Sequence, residues 1–275
     1  MKKGKITAIS FLILSIAVLI SCASEKEVTK AGELITSEKP NKDGVYETEA
    51  DTTNVHDHVI FNKLLSQHVS EEGKVNYKGF IKDSLEFNKY LNLLAANHPT
   101  DSWTDDQIKA YWINAYNAYT VQLIIRNYPV NSIKDLGGSI YKVNTTWDIK
   151  FIKIGEETYD LNNIEHGILR SDFEEPRIHF AVNCASVSCP RLRNEAYVAS
   201  RLNDQLDDQA RKFINYDPKN DITTEKAHVS KIFTWFSGDF KKNGSVKDFI
   251  NKYADVQIPE NVDLTYQEYI WTLNE

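Results

Sequence analysis

The segment from Thr104 to Pro129 constrains the fold of this chain more than any other part of the sequence. Thr104 is a good helix N-cap residue, and Gln107 completes the capping-box pattern. Pro129 has no amide hydrogen with which to continue a helix. Apolar residues recur all round the predicted helix, at Ile108, Tyr111, Trp112, Tyr116, Tyr119, Val121, Leu123 and Ile124. The segment therefore predicts one long helix that is buried over most of its circumference.

Two asparagines, Asn114 and Asn117, lie on one face of this predicted helix. Asparagine is a poor helix former, and a buried amide without a partner costs about 1–3 kcal/mol. Either these amides hold a neighbouring loop through hydrogen bonds to its backbone, or they line a binding site. Both interpretations remain open from the sequence.

The segments on either side of the long helix predict the rest of the fold. The alternating pattern of residues 145–161 predicts a hairpin that turns at "GEE", and "IEHGILR" predicts a short helix capped by Asn162 or Asn163. Residues 56–69 and 193–216 have helical apolar spacing, and "AHVSKIF" is typical of a strand. We expect His56 and His58 to be surface residues. The mixed order predicts a single α+β domain with a long buried helix, several short helices and a small antiparallel sheet.

The N-terminus has the features of an export signal. A basic start, "MKKGK", precedes an apolar segment of about 15 residues, which is short for a membrane-spanning helix. The segment ends at "LISC", which resembles a bacterial lipobox with Cys22 as the lipidated residue. An ordinary signal peptide or an uncleaved anchor is the alternative. We expect a lipoprotein signal peptide at residues 1–21, lipidated Cys22 and a disordered polar tether through residue 55, and a domain at residues 56–275.

Charge and composition limit the classes of partner. The net charge of −7 gives no reason to expect nucleic-acid binding, which usually needs a basic patch. We expect the membrane as a partner, through a lipid anchor at Cys22, and no cofactor. The expected location is the bacterial cell envelope, periplasmic or surface-exposed. The sequence does not indicate a substrate or a protein partner.

The segment "IHFAVNCASVSCP", Ile178–Pro190, holds two of the three cysteines. Its apolar start predicts a buried strand over Ile178–Val182. Side chains alternate along a strand, so His179 and Asn183 would share one face and Cys184 would point to the other. Polar residues that follow, including Ser186 and Cys189, would lie in a loop, where functional residues are common.

Several chemistries are open to the two cysteines. An oxidising compartment would permit a Cys184–Cys189 disulfide. Alternatively, one thiol is a nucleophile activated by His166, with Asn114 or Asn117 orienting the imidazole. A third possibility is buried, unreactive cysteines.

Other polar residues widen the set of candidates. A zinc site from Glu165, His166, His179 and the two cysteines has suitable ligand types, but the spacing matches no common zinc motif. We therefore expect no metal. Arginines near the segment would either bind an anionic group or pair with neighbouring acids; they are Arg170, Arg177, Arg191 and Arg193.

Six segments together resemble the DUF547 family of uncharacterised proteins: "YWINAYNAYTVQLI", "LNNIEHGILR", "RIHFAVNCASVSCPRL", "AYVASRLNDQLDDQARKFI", "SKIFTWFSGDF" and "YIWTLNE". The resemblance covers roughly Val75 to Glu275. It implies an exported or lipid-anchored protein with a shared polar site and no established activity. The implied site positions are Asn114, Asn117, Glu165, His166, Arg170, His179, Asn183, Cys184, Ser186 and Cys189.

Two functional hypotheses follow. The first is a thiol-dependent hydrolase or acyl-transferase that acts on peptide or amide bonds, with Cys184 or Cys189 as nucleophile and His166 as base. The second is a non-catalytic ligand-binding or scaffold module with a structural cysteine pair.

The lipobox makes a direct prediction. Cys22→Ala removes the acylated residue and should move the chain from the membrane fraction to the soluble fraction, as measured by fractionation and immunoblotting. Membrane retention equal to that of the wild type would contradict lipid anchoring at Cys22.

Overall fold

The computed structural model describes residues 54–137, 145–216 and 218–275. The predicted signal peptide, Cys22 and nearly all of the predicted tether lie outside these ranges. Among the described residues, no helix has the length and apolar character needed to cross a membrane.

Four helices form the first half of the domain: α1 (Val59–His68), α2 (Tyr77–Lys82), α3 (Ser84–Ala96) and α4 (Asp105–Arg126). The predicted capping box of α4 is confirmed, with Gln107 N–H donating to Thr104 Oγ1 and Thr104 N–H donating to Gln107 Oε1 at 2.9 Å. Every residue of α4 from Ala110 to Ile124 is buried. The helix is therefore the central element of the core, as its apolar circumference predicts.

Within the described ranges, the strands are short and form two sheets. The predicted hairpin is confirmed as β1 (Ile152–Ile154) and β2 (Glu157–Tyr159), an antiparallel pair whose tight turn uses the positive φ of Gly155. The second sheet contains β3 (Asp221–Ile222), β4 (Ala227–Val229) and β5 (Leu264–Tyr266). β3 is antiparallel to β4, but β5 pairs with β4 in parallel, so this sheet is mixed rather than antiparallel. With the helices, these sheets make an α+β domain.

The remaining helices surround the segment Ile178–Pro190, which we call the cysteine segment. They are a π-helix (Asn163–Leu169), α5 (Ile178–Ala181), α6 (Leu202–Asn215), α7 (Ile232–Trp235), α8 (Ser237–Phe240) and α9 (Val246–Tyr253), with 3₁₀ turns at Ile133–Leu136, Thr146–Asp148 and Ala199–Arg201. Neither Asn162 nor Asn163 caps the π-helix with its side chain as predicted; Asp160 accepts the hydrogen bond from the Asn163 N–H instead.

Two apolar clusters form the core. One is built on α1 to α4, and the other lies among α6, α7, α8 and α9. Trp271 packs against both clusters. The cysteine segment runs between them, which places it in the interior of the domain.

The predicted strand at Ile178–Val182 is wrong, because the segment forms the helix α5. Pro176 precedes it, and proline favours the first turn of a helix. The His179 N–H donates to the Pro176 carbonyl and the Val182 N–H to the Ile178 carbonyl. Short apolar runs do not distinguish a buried helical turn from a strand. The prediction that His179 and Cys184 point to opposite faces depended on this strand, and it is therefore wrong as well. The predicted strand "AHVSKIF" likewise ends early, at Val229, and continues into α7.

His58 is not a surface residue. It is 1% exposed, and its Nδ1 lies 2.8 Å from the Tyr90 hydroxyl. Burial lowers the pKa of the His58 imidazole to about 3. His56 is partly buried and contacts the Trp103 ring at 4.2 Å between centroids.

The buried imidazole predicts a pH-dependent stability. Between pH 6.5 and about 3, His58 binds a proton in the unfolded chain but not in the folded one, so folding is weakened as the pH falls through this range. The slope from this group is at most about 1.4 kcal/mol per pH unit. His58→Asn, which tolerates the left-handed backbone at this position, should flatten the pH dependence of urea unfolding. The exposed His98→Asn is the control, and an equal slope in wild type and His58→Asn would refute the effect.

Candidate functional site

The two cysteines are joined in a disulfide between Cys184 and Cys189. Cys184 N–H also donates to Cys189 Sγ at 3.0 Å, and Ala185 within the loop has a left-handed φ of 58°. Neither sulfur is a thiol here, so the assignment of Cys184 or Cys189 as a nucleophile does not hold for this oxidised state. A thiolate is the nucleophilic form, and it requires the bond to be reduced.

Helix α4 holds the start of this loop through Asn117. Its Nδ2 donates to the Ala181 carbonyl at 2.9 Å, and its Oδ1 accepts from the Asn183 N–H at 2.8 Å. One turn earlier, Asn114 donates to the Tyr197 carbonyl and accepts from the Tyr197 N–H. Both amides are buried, and these bonds favour the interpretation in which they fix the neighbouring backbone.

The side chain of Asn183 also holds the backbone of the loop between the two cysteines. Its Oδ1 accepts from the Ala185 N–H at 2.8 Å, and its Nδ2 donates to the Pro190 carbonyl at 2.7 Å. Asn274 also donates to the same Oδ1. The loop between the cysteines is therefore closed by side-chain hydrogen bonds as well as by the disulfide.

A cavity of about 170 Å³ opens beside the disulfide. It brings together five of the predicted site residues, which are Glu165, His166, His179, Cys184 and Cys189. Six aromatic residues form much of its wall: Tyr116, Trp147, Trp235, Phe236, Tyr269 and Trp271. Asn162, Val182, Pro190 and Ile232 complete the lining. We refer to this space as the aromatic cavity.

A polar chain lies behind one wall of the aromatic cavity. His179 Nε2 donates to Asp239 Oδ2 at 2.8 Å, and Arg170 Nε donates to the same oxygen at 2.7 Å. Hydrogen bonds from His179 and Arg170 hold the pKa of Asp239 well below its ordinary value. Arg170 Nη1 lies 3.1 Å from His166 Nδ1, which must accept because a guanidinium only donates.

The protonation of His179 follows from its surroundings. The side chain is 1% exposed, and burial lowers the pKa of the imidazole below its ordinary value, although Asp239 opposes this. Its ring stacks on Phe236 at 3.9 Å between centroids. With Nε2–H donated to Asp239, Nδ1 carries the lone pair, and this buried atom has no hydrogen-bond partner. His179 is thus an oriented, neutral imidazole hydrogen-bonded to an ionised Asp239, and it lines the same cavity as the disulfide.

Five predicted site residues do not line the aromatic cavity: Asn114, Asn117, Arg170, Asn183 and Ser186. The Ser186 hydroxyl donates to the Tyr269 hydroxyl at 3.3 Å and, with Asn183, lines a larger, more polar groove of about 770 Å³. Cys189 lines both spaces. The disulfide therefore lies in the partition between the aromatic cavity and this groove.

The four candidate arginines form ion pairs with neighbouring acids. Arg177 pairs with Glu175 and Asp207, and Arg193 pairs with Glu195. No three His, Cys, Asp or Glu side chains of the described residues are grouped so as to hold a metal ion.

Sequence reasoning missed several residues of the cavity wall, as well as Asp239 behind it. Asp239, Trp235, Tyr269 and Trp271 lie in the segments "SKIFTWFSGDF" and "YIWTLNE", which contribute to the family resemblance, but nothing in either segment assigns them a role. The density of aromatic residues in both segments is the only local indication of a shared wall.

Residues 100–214 match the family model described as "Protein of unknown function, DUF547". The segment from residue 100 to residue 214 is therefore assigned to this family. The match runs from just before α4 to the end of α6, a narrower range than the resemblance, and includes the disulfide, Glu165, His166 and His179. Asp239 and Trp271 lie beyond it. No curated protein and no solved structure matches the chain significantly.

The amide of Asn117 predicts a large stability effect. Asn117→Ala leaves the Asn183 N–H and the Ala181 carbonyl buried and unpaired, which should lower the free energy of unfolding by about 2–4 kcal/mol. Asn88→Ala, at an exposed position of α3, should change it by less than about 0.5 kcal/mol. Urea unfolding followed by circular dichroism measures both, and similar effects of the two substitutions would show that the amide bonds contribute little.

Proposed function

We propose that this chain is a cell-envelope lipoprotein whose domain binds a small ligand in the aromatic cavity, with the cysteine pair as a structural part of the cavity wall. The observation that supports this most is the Cys184–Cys189 bond at the boundary of a concave, largely aromatic space. Ligand sites are commonly concave and mostly apolar, with a few polar groups that orient the ligand.

The size of the cavity limits what it can hold. A buried apolar cavity of roughly 150 Å³ accommodates a benzene-sized molecule, whereas drug-sized ligands occupy about 300–1,000 Å³. The aromatic cavity, at about 170 Å³, therefore fits a small molecule or the terminal group of a larger one.

An envelope location agrees with the disulfide. Disulfides persist in oxidising compartments such as the bacterial periplasm and the cell surface. The proposed anchor at Cys22 would leave Cys184 and Cys189 as the remaining cysteines of the chain. Lipidation of Cys22 and the disulfide between the other two cysteines would then account for all three cysteines of the chain.

The pair formed by His179 and Asp239 favours a second candidate function. If the disulfide is reduced, the domain would be a thiol-dependent hydrolase or acyl-transferase acting on peptide or amide bonds. His179 would be the better base than His166, because Asp239 orients its ring and Nδ1 is unpaired. Nδ1 would take the proton of the nucleophilic thiol, and the thiolate would attack the carbonyl carbon. The C–N bond would then break as the amine leaves with that proton, and water or an acceptor amine would cleave the resulting thioester and regenerate the thiol.

Thiol chemistry distinguishes the two candidates. The full-length chain purified without reductant and unfolded in urea should resist iodoacetamide at Cys184 and Cys189, as measured by peptide mass spectrometry, and both should react after reduction. In the reduced, folded chain at pH 7, labelling should be no faster than in urea, because a structural pair has no activated thiol.

Three histidine variants show whether any fast labelling of the cysteines depends on a neighbouring base. Labelling should be the same in His179→Gln, in His166→Ala and in the control His98→Gln. Fast labelling of the wild type that His179→Gln alone abolishes would contradict the structural role and support the thiol enzyme.

A further inference from the structure

We propose that the aromatic cavity binds an organic cation, with Glu165 as its counter-charge and the rings of Trp235, Tyr269 and Trp271 as its walls. This inference rests on the proposed function, because it assigns a ligand class to the same cavity.

Glu165 is a charged group in an unusual position. It lies in the π-helix, is 7% exposed and lines the aromatic cavity. Among the residues that the structure describes, no lysine, arginine or histidine forms an ion pair with it. The pKa of the Tyr116 hydroxyl is raised, mainly by burial. The charge of Glu165 and a hydrogen bond between Glu165 and Tyr116 raise it further. A buried carboxylate without a cationic partner is costly, and a bound cation would supply the missing charge.

The walls suit a cation as well. Tyr269 contacts Trp235 at 4.7 Å and Trp271 at 4.6 Å between ring centroids, so the three rings form a continuous surface. The face of an aromatic ring is electronegative and attracts cations, most strongly for tryptophan. Ammonium groups that are recognised in this way are typically enclosed by several rings.

Arg170 and His179 add no uncompensated positive charge beside the aromatic cavity. Arg170 lies 5.0 Å from the Phe236 centroid, but it is paired with Asp239. Burial keeps His179 neutral at neutral pH. Lys134 lies 4.9 Å from the Trp271 centroid, which leaves one nearby cation to compete with the ligand, but Lys134 is not part of the cavity lining.

Neutral and anionic ligands fit these features less well. A neutral ligand would fill the apolar volume but leave the Glu165 charge uncompensated. An anion would be repelled by this carboxylate and by the negative faces of the rings. A substituted ammonium group matches the charge, the rings and the small volume together.

The test compares two probes of nearly equal shape. Choline carries a quaternary ammonium, and 3,3-dimethyl-1-butanol replaces the nitrogen with carbon. Titration calorimetry and tryptophan fluorescence of the full-length chain in a non-ionic detergent measure both. Choline should bind at least about fivefold more tightly than the alcohol, which corresponds to a cation–aromatic gain of about 1 kcal/mol.

Two variants locate the effect. Glu165→Gln keeps the shape of the side chain but removes its charge, and it should weaken choline at least about tenfold while changing alcohol binding less than about twofold. Trp235→Leu alters a ring that is 48% exposed, so the fold should persist, and it should weaken choline selectively. Glu157→Gln, on exposed β2, is the matched control and should change neither affinity. Thermal unfolding confirms that each variant is folded.

Three results would overturn the inference. Equal binding of the two probes to the wild type would retain a ligand-binding cavity but exclude cation selectivity. Unchanged choline affinity in folded Glu165→Gln would remove Glu165 as the counter-charge. Binding of neither probe at millimolar concentration would contradict ligand binding in the aromatic cavity, and with it the proposed function.

Discussion

The hydrogen bonds of Asn117 are the interaction on which the rest of the site depends. Helix α5 ends at Ala181, so the carbonyl of that residue and the N–H of Asn183 lose their helical partners inside the core. A single primary amide on α4 satisfies both, because it presents an acceptor and a donor side by side. An aliphatic side chain of similar size would leave both groups unpaired. The start of the cysteine loop is therefore fixed to the most buried helix of the domain.

This constraint explains why a polar site exists in the interior. The loop is held at its start by Asn117, across its middle by Asn183 and at its ends by the disulfide. A loop held in this way can be buried without leaving its backbone polar groups unsatisfied. Its rigidity places both sulfurs against the Tyr269 hydroxyl, in the wall that Tyr269 and Trp271 help to form. The aromatic cavity lies beside these sulfurs.

Helix α4 and the β1–β2 hairpin could be predicted because local sequence patterns determine them. The start and burial of α4 follow from Thr104, Gln107 and an apolar circumference, and the β1–β2 hairpin follows from alternation around Gly155. The prediction of α5 failed because a short run of four apolar residues and His179 fits a buried strand as well as a helical turn. Its first turn depends on Pro176, and its burial depends on packing against α6, which no local pattern shows.

The site was predictable in part for the same reason. Glu165, His179 and the cysteines could be nominated because they occur in compact, polar segments of the chain. Asp239 could not, since it lies sixty positions from His179 along the chain and only tertiary packing joins them. The change of preferred base from His166 to His179 follows from this contact. A histidine is a good base only when a neighbour orients it and leaves one nitrogen free.

The carboxylate of Glu165 separates the two candidate chemistries of the aromatic cavity. A thiolate formed at Cys184 or Cys189 would share a space of about 170 Å³ with this negative charge, and like charges in a desolvated site disfavour ionisation of the thiol. Reactive cysteines usually have a cationic neighbour, but His179 is neutral and Arg170 is committed to Asp239. The same carboxylate attracts a cation with no change in the redox state of the sulfurs. The electrostatics of the cavity therefore agree with a bonded cysteine pair and a cationic ligand, and they oppose a thiolate at the same place.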